Sequence, residues 1–127
     1  MSAGAVLLAA AMTAFDDLGC TVFDAPPVRG ALPHAVVEEP ALGDWSTKTW
    51  VGREGQLVVS VHDAGERPLR LRTLAAAVEE RLAAMMPDLG ERWRLVAMRL
   101  VRTRLLRGPG DRWTATVVMQ VRLWRGE

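Results

Sequence analysis

Cysteine and histidine, the residues that most often build reactive or metal-binding sites, are nearly missing from this chain. The one cysteine, Cys20, allows no internal disulfide, and beside Val22 and Phe23 it reads as a small buried thiol. The two histidines, His34 and His62, stand in no H-E-x-x-H spacing and no C-x-x-C accompanies them, so no metal site is expected. Ser46 and Ser60 lack a nucleophile elbow or an adjacent base. Gly108 and Gly110 flank a proline in a turn instead of joining a strand to a helix, which removes the usual phosphate cradle. The neighbouring acids Asp16 and Asp17, Glu38 and Glu39, and Glu79 and Glu80 do not share a face, as a general acid and base would have to. No catalytic set, no metal and no cofactor are therefore expected, and the chain does not read as an enzyme.

A long hydrophobic run is also missing. The apolar stretch 3–14 is too short to cross a bilayer. It has no basic residue ahead of it and is followed by Phe15, Asp16 and Asp17, unlike a signal peptide. It reads as a helix covering part of a core through Val6, Leu7, Ala10, Met12 and Phe15, ending at Leu18 with Gly19 as its stop. The chain is expected to be soluble, not exported, and free of any membrane partner. Repeats and low-complexity segments are absent.

What is present is enough for one domain over 1–127. A chain of 127 residues can bury roughly two-thirds of the surface its unfolded form exposes. The most regular stretch is 67–86, where Leu71, Leu74, Ala75, Val78, Leu82 and Met85 recur at offsets of three and four and predict an amphipathic helix. Pro68 suits its first turn, and Pro87 with Gly90 stops it.

Strands are predicted on both sides of that helix. Short apolar runs at 20–23 and 33–38 give two of them, separated by Pro26 and Pro27. Leu57, Val59 and Val61 alternate with polar residues and give a third. At the C-terminus Trp113, Ala115, Val117, Met119, Val121 and Leu123 hold every odd position of one strand. Its partner, 94–106, changes parity between Leu100 and Val101, which predicts a bulge or a switch of face near Leu100. Gly108, Pro109, Gly110 and Asp111 supply the turn. Each arm could reach about 35 to 40 Å, so the tip around Arg107 and Arg112 is expected to project. The expected class is α+β: a mainly antiparallel sheet with a long C-terminal hairpin, one central helix packed across a face, and a second, N-terminal helix.

Net charge is only +1, yet it is unevenly spread. Residues 1–66 carry nine acids against three bases, and residues 92–127 carry nine arginines against two acids. If folding keeps these segments apart, each subunit has an acidic and a basic side, suited to head-to-tail contact between copies. If the charges interleave on adjacent strands, they neutralise one another within the monomer. The arginines also admit a soluble accessory domain that binds nucleic acid or protein non-specifically. Against specific binding, Arg102 and Arg104 share one parity while Arg99 and Arg107 share the other, which splits them between faces unless the strand bulges.

The stretch 41–55 has neither helical period nor clean alternation and reads as a loop or distorted hairpin. Trp45 and Trp50 within it either fold back over the sheet edge or stand out beside Lys48 and Arg53 as an anchor for a partner.

Taken in order, these segments resemble the tail-completion (tail terminator) family of long-tailed bacteriophages, including the form carried by gene transfer agents. The likeness lies in an Ala/Leu-rich opening helix, the run Val22-Phe23-Asp24-Ala25-Pro26-Pro27, and the segment Asp44-Trp45-Ser46-Thr47-Lys48-Thr49. A Gly-x-Glu-x-x-Leu-x-Val-like strand, the long helix and the final strand-turn-strand complete it. His34 stands where the pattern has an aromatic after Pro33, and the strand from Leu57 ends in Val61-His62-Asp63 without the expected aromatic.

The resemblance implies a structural protein with a fold similar to tail-tube subunits. Such a protein forms a hexameric ring at the head-proximal end of the tail tube, ends tube polymerisation and meets the head connector or stopper protein. DNA would pass through its lumen without sequence recognition. The chain would then be made in the bacterial cytoplasm and end in the neck of a phage-like particle. Asp44, Trp45, Lys48, Trp50, Arg53, Arg102, Arg104, Arg107 and Arg112 are the candidate contacts with partners or other subunits.

Overall fold

Alternating Leu57, Val59 and Val61 form the middle of a central strand. In the computed structural model, which describes residues 1–126, that strand is β4 (Val51–Ala64), longer at its start than the alternation alone predicts. The C-terminal strand β7 (Arg112–Arg125) lies antiparallel to it along its whole length, from Val51 opposite Arg125 to Ala64 opposite Arg112. The odd residues of β7 from Ala115 to Leu123 are buried, as their alternation requires. Beyond β7 runs β6 (Trp93–Arg107), with a three-residue strand β5 (Asp88–Gly90) at its start. On the other side of β4 lies β2 (His34–Val37), paired in turn with the parallel strand β1 (Thr21–Phe23). The strand β3 (Ala41–Asp44) continues along the same side of β4 as β2. The fold is α+β: two helices and a mostly antiparallel, curled sheet of seven strands ending in a long hairpin.

Helix α2 (Leu69–Ala83) crosses β4, β7 and β6 with Leu71, Leu74, Ala75, Val78 and Leu82 buried beneath it. It is shorter than 67–86. Pro68 stands just before the first turn, and the chain has left the helix by Ala84, before Pro87 can interfere. Met85 is consequently only half buried. Arg70 ties the helix start to the end of β4: its Nε and Nη2 donate to Asp63 at 2.8 and 2.7 Å.

Helix α1 (Ala3–Ala14) packs beside α2, with Ser2 Oγ accepting from the Ala5 amide at its start. It ends four residues earlier than Leu18. The chain turns through Phe15 and Leu18, both buried, before Gly19 takes φ 102°. At about 1.5–3 kcal/mol for each fully buried Leu, Val or Phe, this one face of the sheet holds the fold together. The opposite face has no helix among the described residues.

The candidate interaction surface

The stretch 41–55 resolves into a hairpin. β3 and the start of β4 pair from Ala41 opposite Gln56 to Asp44 opposite Arg53, and the loop closes with the Trp45 amide on the Gly52 carbonyl and the Thr47 amide on that of Trp50. Asp44 accepts from Arg53 Nη1 at 3.0 Å and from Ser46 Oγ at 2.6 Å, while Ser46 Oγ also accepts from the Gly52 amide. Arg53 is therefore a clasp within the loop as well as a candidate contact. A Cβ at Gly52 would lie 2.4 Å from both the Trp45 carbonyl oxygen and the Trp50 ring, so only glycine fits there.

Both tryptophans are half buried, which falls between the two readings of the sequence. Trp45 meets Trp50 edge to face with centroids 5.0 Å apart, and Trp50 meets Trp124 of β7 in the same way at 5.8 Å. Arg122 lies 4.8 Å above the Trp45 ring while its Nε donates to Glu54 at 3.2 Å. Lys48 stands exposed at the loop tip, with no ion pair among the described residues.

Along β6 the pairing with β7 slips twice, between Leu95 and Ala97 and between Leu100 and Arg102. The second slip is the bulge the change of parity predicts. Its consequence is the one that undoes the split of the arginines between faces. Arg99, Arg102 and Arg104 come to lie opposite Gln120, Val118 and Thr116, all on the face of β7 away from the helices, and Arg94 opposite Trp124 joins them. One exposed basic row results instead of two split ones. None of the four has an ion pair among the described residues.

At the hairpin tip the expected projection does not occur. The Gly65 amide bonds the Asp111 carbonyl at 2.9 Å and Trp113 Nε1 donates to the Gly65 carbonyl at 3.0 Å, which ties the tip to the end of β4. Arg107 pairs with Asp111 at 2.6 Å and lies 5.3 Å over Trp113, while Arg112 is exposed beside the cleft described next. The candidate residues thus form three groups. Asp44, Trp45, Lys48, Trp50 and Arg53 lie at one end of β4, Arg107 and Arg112 lie at its other end, and Arg102 and Arg104 are on the sheet's far edge strand. Arg122, Trp124 and Glu54 belong to the first group and were not singled out from the sequence. Their even positions on β7 and β4 mark them only as facing away from the core.

The charge segments partly meet. Glu54 of the acidic segment pairs with Arg122 of the basic one, but the row on β6 is kept away from Glu38 and Glu39, which follow β2, and from Asp44 of β3 by the width of β4 and β7.

On the helix-free face, His34 and His62 pair across β2 and β4 with ring centroids 5.0 Å apart, and His62 Nδ1 lies 3.2 Å from Thr114 Oγ1. They line an open cleft of about 650 Å³ with Pro27, Arg29, Ser60 and Arg112. Burial, then the neighbouring His34, lowers the His62 pKa against a smaller opposing effect of Glu38. Burial pushes the Cys20 thiol up, with the Asp63 carboxylate adding to it. Among the described residues no three His, Cys, Asp or Glu are placed to hold a metal ion, and no helix is long and apolar enough to cross a membrane.

Comparison with known proteins points the same way as the order of motifs. No curated protein matches the chain. A solved structure does: a chain of the "Virion of native gene transfer agent (GTA) particle", 25% identical, shares the fold with a TM-score of 0.79 over 98% of this chain and 99% of that one. The family model of tail completion protein gp17 matches residues 5–125, nearly the whole domain, and the chain belongs to that family.

Proposed function

We propose that this chain forms a ring, six copies being the number the family resemblance implies, that caps the head-proximal end of a tail tube, ends its polymerisation and joins the tail to the head connector. Membership of the tail completion family makes it a structural protein of the phage tail. The observation that carries the finer reading is that the fold matches, end to end, a chain of a gene transfer agent virion. The charge layout supports it, since an acidic edge and a basic edge on one subunit favour head-to-tail contacts that close into rings. In this reading the tube protein and the connector or stopper protein are the partners. DNA crosses the lumen without sequence-specific contact, and the chain, made in the bacterial cytoplasm, resides in the neck of a phage-like particle. The Trp45 hairpin and the β6 arginines are the contact regions.

Removing the chain from the producing cell tests this. Tails of uncontrolled length and heads without tails are expected, and tails of normal length joined to heads would contradict it.

One observation favours a second reading: the bulges at Val96 and Val101 align Arg94, Arg99, Arg102 and Arg104 as phosphate contacts would require. That reading, a non-specific nucleic-acid-binding accessory domain, predicts salt-sensitive binding to free duplex. Absence of binding at low salt removes it.

A further inference from the structure

The two sides of the sheet are unequally finished. β5 covers β6 only at Trp93 and Arg94, so from Val96 to Arg107 the outer edge of β6 has no strand beside it among the described residues. A long open edge is a template for another strand. This one also carries Val96, Leu100, Val101 and Leu106, between 41% and 52% exposed. The bulges that could discourage pairing lie at Val96 and Val101, leaving 102–107 regular. On the opposite side, among the described residues, β3 pairs only with β4, and its outer edge, Ala41–Asp44, is open and mostly exposed. The exposed Glu38 and Glu39 precede it and Asp44 ends it. The two terminal strands, β1 and β5, are only three residues long each, and β1 runs towards Pro26 and Pro27, which cannot extend a ladder.

We infer that these edges are two halves of one contact, in which β6 of one copy, over 102–107, adds as a strand to β3 of the next, so that the sheet continues from subunit to subunit. The partner is a second copy of this chain, and three observations choose it. The edges are opposite in charge, with Arg99, Arg102 and Arg104 on one and Glu38, Glu39 and Asp44 flanking the other. Pairing of β6 with another β6 would set arginine rows face to face, which like-charge repulsion disfavours. Lying on opposite sides of one sheet, the two edges make a head-to-tail contact, the kind that repeats until a ring closes. The inference deepens the ring reading by naming its subunit boundary.

Cross-linking tests it. Ala41 and Leu106 both face away from the helices, by their positions opposite Gln56 and Thr114. Within one chain they are separated by β4 and β7 and are offset along the strands, too far apart for a disulfide. In a Cys20→Ser background, the Ala41→Cys/Leu106→Cys chain is oxidised as concentrated purified protein and in particles. A ladder of disulfide-linked copies is expected, with none from either single variant, and Arg104→Glu should abolish it while Arg104→Glu with Glu39→Arg restores it. Circular dichroism confirms that each variant is folded. Absence of the ladder in both settings, or dimers from Leu106→Cys alone, overturns the inference. A ladder from purified protein combined with absence of the chain from particles would overturn the ring-cap function and leave the edge contact standing.

Discussion

Arg122 stacks over Trp45, 4.8 Å from the ring centre, and so joins the loop between β3 and β4 to the C-terminal strand. An exposed cation–π contact contributes about 0.5–1 kcal/mol. Its larger effect is positional. With Trp50 wedged between Trp45 and Trp124, the loop is held as a half-buried aromatic platform with Lys48 at its tip.

Replacing the platform and replacing its tip should therefore have different effects. Trp45→Ala removes the contacts to Trp50 and Arg122 and should lower stability by about 2 kcal/mol in urea denaturation, between the costs typical of exposed and core aromatics. Lys48→Ala should change stability by less than about 0.5 kcal/mol while impairing the joining of tails to heads. An equal effect of both on stability would show that the loop is not built in this way.

Gly52 sets the closeness of that platform to β4. Gly52→Ala places a methyl where the Trp45 carbonyl and the Trp50 ring already stand, so a loss of about 1–3 kcal/mol is expected, with a change in tryptophan fluorescence as the rings separate. Wild-type stability and emission in this variant would contradict the close approach.

Acid should weaken the fold in two separate windows. The native state lowers the His62 pKa below its ordinary 6.5, so the unfolded chain takes up the proton first. The stability this group contributes is whole above pH 6.5 and falls as pH drops from there through the native value. Asp63 is held below the carboxylate value of 3.8, chiefly by its hydrogen bonds from Arg70, so its contribution is whole above 3.8 and is lost only as pH falls further. Urea midpoints at pH 7.5 and 5.5 should drop for the wild type and drop less for His62→Asn, whereas Asp63→Asn should lower both midpoints alike. Equal slopes in wild type and His62→Asn would contradict the first window.

The β6 row predicts an assembly defect without a folding defect. Arg102→Glu/Arg104→Glu changes two exposed residues that have no ion pair among the described ones, so thermal stability should stay within about 1 kcal/mol of wild type. Incorporation into particles, followed by immunoblot of purified particles, should be lost. Normal incorporation would remove this edge as a contact.

Much of this fold is legible because burial writes a period into the chain. Leu71 to Leu82 on α2 and Ala115 to Leu123 on β7 repeat at 3.6 and 2 because one side of each must meet the core. The parity change at Leu100 gave the bulge, since an extra residue must break alternation. The site was less legible for the same physical reason. The gathering of Arg99, Arg102 and Arg104 follows from that bulge, but the slip at Val96 that adds Arg94 leaves no such mark. Nothing in one strand says which strand lies beside it, so the stacking of Trp124 and Arg122 on the Trp45 loop could not be read locally. The tip at Arg107 was expected to project because strand length alone ignores that β4 runs just as far and bonds it through Gly65.

The central claim is that this chain acts by closing a ring on the end of a tail tube, and imaging the intact particle tests it most directly. A cryo-EM reconstruction of the particle should show copies of this fold in one closed ring between the tube and the head connector, with β6 of each beside β3 of the next. Its absence from that junction, or its presence as isolated copies elsewhere, would contradict the account.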